Sequence, residues 1–227
     1  MSDRFTLAPS SLTDALYEAV RKRIVNGDIP PGEKLTELRL ASEYSVARPT
    51  AKACVERLTS VGLLRRTAHR SAVVPAFDEA EILDLFIGRE AVERSAVLAL
   101  AKRKFVPIQA TKAQLAIEQA AQDRDFPSQV EADIEFHSSL VAAADSRRLT
   151  RMHESIMGEV QLTMGQFQAH RTVDPRSVAH EHAEIIAAIK AGRPRKAEDA
   201  LATHLQHAQQ RLLAHLEAPQ ANLANAR

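Results

Sequence analysis

Beyond residue 78, apolar side chains recur every three or four positions, the spacing that gathers them on one face of an α-helix. Residues 78–103 carry Ile82, Leu85, Phe86, Val92, Ala96 and Leu100 in this pattern, and 108–123 carry Ile108, Leu115 and Ala116. The pattern continues with Val130, Phe136, Leu140 and Val141 in 128–144, and with Leu149, Met152, Ile156, Val160 and Met164 in 148–169. Ile185, Ile186 and Ile189 mark 175–191, while Ala200, Leu201, Leu205, Leu212 and Leu216 mark 195–217. Pro75, Pro107, Pro127, Pro175, Pro194 and Pro219 punctuate these blocks, as proline does in first turns and inter-helix loops. About six or seven helices with short connections predict an antiparallel bundle. No strand pattern follows Val74.

The first 75 residues are patterned differently. Ser10 or Ser11 can cap a helix with Leu12, Leu16, Ala19, Val20 and Ile24 inside, ending at Asn26-Gly27. Ile29-Pro30-Pro31-Gly32-Glu33 is a turn, since neither helix nor strand runs through such a sequence. A short helix from about Thr36 to Tyr44, a tight Ser45-Val46-Ala47 turn and a helix from about Pro49 to Val61 follow. Leu63–Arg66 and Ser71–Pro75 then predict two short strands with Thr67–Arg70 at the tip. Helix, helix, turn, helix and hairpin is the layout of a winged helix-turn-helix. The expected fold is therefore mainly α, with a winged domain over 1–75 and a helical bundle over 76–227.

Composition narrows the class. The 227 residues are 45% hydrophobic and 26% charged, and no apolar run reaches the roughly 18 to 20 residues of a membrane span. MSDRFTLAPSSL lacks the apolar core of a secretory signal, so a cytoplasmic location is expected. The single cysteine, Cys54, excludes an internal disulfide and any multi-cysteine metal site. It reads either as a small packed residue or as a redox sensor, which needs exposure that favours the thiolate.

The net charge of +1 conceals a division: residues 1–75 hold 12 Lys+Arg against 8 Asp+Glu, or +4, leaving 18 against 21, or −3, for 76–227. Arg48 and Lys52 begin the third helix, and Arg65, Arg66 and Arg70 lie in and beside the hairpin. A recognition helix reads the major groove with its N-terminal residues while flanking cations hold phosphates.

Gly27-Asp28-Ile29-Pro30-Pro31-Gly32, Leu35, Glu37, Leu40-Ala41, Val46, Arg48, Leu58 and Gly62-Leu63 stand in register over about 40 residues. This run resembles the DNA-binding domain of GntR-type bacterial transcription regulators. The resemblance implies Arg48, Thr50 and Lys52 as groove or backbone contacts and His69 and Arg70 as wing contacts. Arg39 is a weaker candidate, one position from the family's usual arginine. There are departures. Ser45 replaces a turn glycine, Ala47 a Ser or Thr, Lys52 an Arg and Ser71 a wing glycine. Loss of the hydroxyl at Ala47 removes a cap or phosphate contact of about 1 kcal/mol. Lys52 keeps charge without the bidentate fork that suits guanine.

Asp133 and His137 stand four apart on an apolar helix face, and His182 and His204 face inward beside Ile185, Ile186, Leu201 and Leu205. One carboxylate and three imidazoles make a divalent metal set, zinc foremost, with nickel, manganese or iron as alternatives. Core histidines satisfied by Asp133, Glu181 or backbone carbonyls are the other reading. His180, His207 and His215 fall off the inward stripe as surface or outer-shell groups, and His153 and His170 have no assignment.

Residues 78–217 resemble the helical FCD effector domain of the FadR-type branch. Its metal-binding members share Asp-x-x-x-His, Glu-His-x-x-Ile and a later His-Leu, found here as Asp133/His137, Glu181-His182/Ile185 and His204-Leu205. The resemblance implies Asp133, His137, His182 and His204 as ligands. It also places Arg89 and Glu93 as an effector carboxylate clamp, although a plain i,i+4 ion pair reads equally well. Arg171 is a weaker effector candidate. Together these features imply a regulator, expected to be a repressor, whose homodimer binds palindromic operator DNA under control of a small carboxylate. A metal-sensing repressor without organic ligand, or a helical metalloenzyme, are the rival classes.

Overall fold

The computed structural model describes residues 12–66, 71–167 and 174–217. It divides into two compact units, Met1–Ala76 and Phe77–Arg227.

In the first unit α1 (Leu12–Val25), α2 (Glu37–Glu43) and α3 (Arg48–Ser60) enclose a core of Leu16, Val20, Ile24, Leu40, Val55 and Leu58. Thr36 caps α2, its hydroxyl accepting from the Arg39 N–H at 3.1 Å. Ala47, at the N-cap of α3, offers no side-chain bond, and Pro49 supplies the first-turn geometry instead.

The wing differs from the expected hairpin. Its β2 (Ala72–Val73) pairs antiparallel with β1 (Lys34–Leu35), Leu35 opposite Ala72. The Leu63–Arg66 arm joins only through a bridge between Arg65 and Val73, with N···O distances of 2.8 and 2.9 Å. The strand at 34–35 escapes a period-two reading because two residues carry no alternation. Thr67–Arg70, with His69 and Arg70, lies outside the described residues, as do Ser10, Ser11, His170, Arg171 and the Pro219–Arg227 tail.

The second unit consists, among the described residues, of α4 (Glu79–Arg103), α5 (Ile108–Asp123), α6 (Phe126–Ala142), α7 (Arg147–Phe167), α8 (Pro175–Lys190) and α9 (Pro194–Glu217). A reciprocal capping box between Asp78 and Glu81 fixes the start of α4. Helix α5 turns the opposite way from its apolar pattern. Ile108 and Leu115 are 64% and 60% exposed, while Ala110, Ala113, Gln114, Ile117, Ala120 and Ala121 are buried. Alanines let α5 approach α6 and α8 closely, and Gln114 donates to the Ala179 carbonyl at 2.8 Å. Met152 on α7 likewise points outward, and His153 takes the inward position beside it.

Candidate functional site

The exposed side of α3 is assembled by what the helix buries. Ala51, Cys54, Val55 and Leu58 face the core, leaving Arg48 and Lys52 exposed and Thr50 half-buried at its N-terminal end. Arg48 forms no hydrogen bond or ion pair among the described residues. Lys52 lies 3.7 Å from Glu56, an exposed pair that water screens strongly. The Arg39 guanidinium is held by Glu33 and by Glu43 at 2.6 Å, so it ties α2 to its neighbours. Arg66 likewise pairs with Glu37. Cys54 is fully buried, and burial pushes its thiol up to about 11. Thiolate chemistry is therefore disfavoured, and Cys54 packs as a small apolar residue.

In the bundle, α6 supplies Asp133 and His137 one turn apart, α8 supplies His182 and α9 supplies His204. All four are at most 3% exposed, and one ligand atom from each lies within 4.8 Å of the others. The Nε2 atoms of His137 and His204 are 3.1 Å apart, those of His182 and His204 3.2 Å, and His182 Nε2 stands 3.4 Å from Asp133 Oδ1. Phe136 stacks on His182 at 4.2 Å between ring centres, fixing that imidazole's plane.

The outer ring nitrogens explain which way the inner ones point. His137 Nδ1 donates to Glu93 Oε2 at 2.6 Å, and His204 Nδ1 donates to Glu181 Oε2 at 2.8 Å. With both rings neutral, their Nε2 atoms are bare acceptors facing each other, and neither can donate to the other. Burial, reinforced by the neighbouring imidazoles and Arg89, holds His182 and His204 well below the ordinary histidine range. Two such lone pairs at 3.1 Å suit a shared cation, a proton or a metal ion. Asp133 Oδ2 and His182 Nδ1 add buried polar atoms without hydrogen-bond partners. With bonds of about 2.0–2.1 Å, ligand atoms stand about 3.3 Å apart around a tetrahedral ion and about 2.9 Å around an octahedral one. The separations of 3.1, 3.2 and 3.4 Å are of this size, so the donor set could hold a divalent metal.

Glu93 does more than pair with Arg89. It accepts Arg89 Nε at 2.7 Å, His137 Nδ1 at 2.6 Å and His153 Nε2 at 3.3 Å, all out of water. Burial alone raises its pKa, but Arg89 and His137 outweigh that and hold the carboxyl well below its usual range. Glu93 thus acts through Arg89 and His137. His153 escaped assignment, although its place between Leu149 and Met157 on the inward stripe was the available signal. Glu181 also bonds the exposed His207 at 2.7 Å, which puts that histidine one group away from the cluster. His180 is exposed near Glu184, and His215 bonds the Arg211 carbonyl.

Beside the cluster lies a small cavity of about 40 Å³, lined in part by Arg89, Asp133, His204, Thr163 and Arg211. Arg89 is 1% exposed, and its Nη2 has no hydrogen-bond partner. Arg211 was not singled out by sequence, because an arginine two turns along an amphipathic helix reads as solvent-facing.

Comparison with known proteins places both units. Residues 12–74 match the family of bacterial regulatory proteins named gntR, and residues 81–207 match the FCD domain. A transcriptional regulator GntR from Rhodococcus sp. RHA1 has a similar crystal structure, with 26% identity, a TM-score of 0.72 and coverage of 90% of this chain and 99% of that one. E. coli McbR/YncC shares the fold at 20% identity and a TM-score of 0.72, over 91% of this chain and 99% of its own. The Nta operon transcriptional regulator of Aminobacter aminovorans is 27% identical over 188 residues, which cover 79% of this chain and 82% of the relative. The Rhodococcus and Aminobacter proteins are named as transcriptional regulators, which marks this chain as a regulator rather than an enzyme, and no helix among the described residues is long and apolar enough to cross a membrane. The chain belongs to the GntR family of transcription regulators, with the FCD domain that fits the FadR-type branch.

Proposed function

We propose that this regulator is a repressor whose operator affinity is set by a small organic acid bound beside a divalent metal in the FCD domain. The observation that carries this reading is one shared cavity: Arg89, with an unpartnered buried Nη2, lines it together with Asp133 and His204. A buried guanidinium nitrogen with a free donor is suited to a carboxylate, through charge-assisted hydrogen bonding. Asp133, His137, His182 and His204 are the residues that would hold the metal. When bound, the ion, zinc foremost, supplies positive charge and an open coordination position for a carboxylate oxygen.

The chain's own groups do the remaining work. Glu93 keeps the His137 Nε2 lone pair turned inward and holds the Arg89 fork in place. Glu181 does the same for His204. Valine, phenylalanine and leucine side chains around the cavity exclude water, so the charged contacts inside act at low dielectric. At the other end of the function, Arg48, Thr50 and Lys52 contact the operator, together with His69 and Arg70, which the family resemblance implies as contacts. Arg39 supports α2 rather than reading bases. A homodimer would place two recognition helices on the half-sites of a palindrome. A coupling of about 1–3 kcal/mol between cavity and DNA changes operator affinity roughly 5- to 150-fold.

The test uses DNA fragments selected by the protein from a random pool. Their affinity is measured by fluorescence anisotropy with metal-stripped protein, zinc-loaded protein, and zinc-loaded protein titrated with three- to six-carbon carboxylic acids. The reading predicts that an acid shifts affinity at least about fivefold, and only when zinc is loaded. If zinc alone produces the whole change, the regulator is a metal sensor and the organic-acid reading fails.

A further inference from the structure

The cavity contains a second cation that metal binding and the Arg89–Glu93 pair leave unused. Arg211 lies on α9 seven residues beyond His204, on the same face and about 10 Å further along the axis. Ala208 and Leu212 share that face and line the cavity with it. Side chains on a helix lean toward its N-terminus, so the Arg211 guanidinium leans back toward His204.

Arg211 makes no side-chain hydrogen bond or ion pair among the described residues. The two carboxylates nearest to it electrostatically are Glu181 and Asp133, and both are committed elsewhere. The oxygens of Glu181 accept from His204 and His207, and Asp133 faces His182. Burial lowers the Arg211 guanidinium below its usual range, and these acids only partly offset this. It remains a cation with a full set of free donors. Water holds the donors of such a half-buried arginine until a ligand carboxylate replaces it.

We propose that Arg211 is the second anchor of the effector site and selects a short dicarboxylate. One carboxylate meets Arg89 at the Asp133–His204 end and the other meets Arg211. The proposal rests on reading the cavity as an effector site. Most of the remaining lining is apolar, with Val130, Val160, Met164 and Leu212 among it, and Gln129 and Thr163 are its neutral polar side chains. The apolar side chains cannot bond hydroxyl groups, so a densely hydroxylated sugar acid would leave most of its hydroxyls unpaired at a cost. An aliphatic spacer loses nothing there. The ligand class is therefore a dicarboxylate with a chain of a few carbons between its two ends.

The experiment is isothermal titration calorimetry on full-length, zinc-loaded protein with two matched pairs: glutarate against butyrate, and adipate against pentanoate. At least one dicarboxylate should bind about tenfold or more tightly than its monocarboxylate. In Arg211→Met that ratio should collapse toward one while monocarboxylate affinity stays unchanged, and Arg211→Lys should keep part of the preference. Circular dichroism and melting of the loaded variants check that they fold. The inference is overturned if neither pair discriminates, if none of the four acids binds, or if Arg211→Met weakens mono- and dicarboxylates equally. Arg89→Met separates the two levels of the account. It should weaken all the acids that bind, and unchanged affinities there would overturn the effector-site reading itself.

Discussion

Glu93 binds His137 and Arg89 at once, accepting His137 Nδ1 on Oε2 at 2.6 Å and Arg89 Nε on Oε1 at 2.7 Å. One buried carboxylate therefore orients both a proposed metal ligand and the proposed effector clamp. Outer groups of this kind carry about 10- to 100-fold in metal affinity. Glu93→Gln should weaken zinc binding by that factor in a competition with a chromophoric chelator. It also leaves Arg89 without its countercharge, costing about 3–5 kcal/mol by analogy with other buried pairs. Urea unfolding of the metal-stripped variant checks the second effect, and unchanged values for both would remove Glu93 from this role.

His204 touches both the cluster and the cavity. His204→Ala should abolish stoichiometric metal and erase the rise in melting temperature that zinc gives the parent protein, because a ligand of the native state stabilises by mass action. Differential scanning calorimetry with and without zinc reads this directly. A retained zinc-dependent rise would exclude His204 as a ligand.

The depressed His182 and His204 give the metal-stripped protein a pH dependence of definite sign. Both are neutral when folded and take up protons near 6.5 when unfolded. The unfolded state thus binds more protons below that pH. Stability is complete above about 6.5 and falls as the pH drops, by up to about 1.4 kcal/mol per pH unit for each histidine. Urea midpoints in chelator at pH 7.5 and 5.5 should show the decrease. A flat profile would mean that burial does not hold these rings neutral.

Ser45 sits in the turn before α3 at φ 52°. A side chain there costs roughly 1–2 kcal/mol, against about 0.5–1 kcal/mol of extra chain entropy for glycine in the unfolded state. Ser45→Gly should therefore stabilise the DNA-binding unit by about 0.5–1 kcal/mol, measured by thermal unfolding, without changing operator preference.

Arg48→Ala should eliminate discrimination for selected DNA over random DNA while leaving the melting temperature unchanged, since Arg48 is exposed and unpaired. Affinity of the parent protein should fall steeply with salt as phosphate contacts release counterions. Arg39→Ala should behave oppositely, lowering stability through the loss of its pairs with Glu33 and Glu43. Parent-like discrimination in Arg48→Ala would displace the recognition-helix assignment.

Much of this was legible in the sequence because period and punctuation coincide. Proline-bounded blocks with three- and four-residue spacing became α4 to α9, and the interval between Asp133 and His137 already put both on one face. What escaped depends on packing partners. In α5 the large residues Ile108 and Leu115 look like a core stripe, yet small alanines win the interior because neighbouring helices come close. Strand β1 has two residues, too few for a period. Arg211 resembles any polar position on an amphipathic helix until the fold shows the cavity it borders.

The central claim is that Asp133, His137, His182 and His204 together hold one divalent ion at the effector cavity. Elemental analysis and native mass spectrometry of zinc-reconstituted protein and of Asp133→Asn and His204→Ala test it most directly. One metal per parent chain and substoichiometric metal in both variants are the expected results. A parent chain without bound metal after reconstitution, or variants that keep a full equivalent, would contradict it.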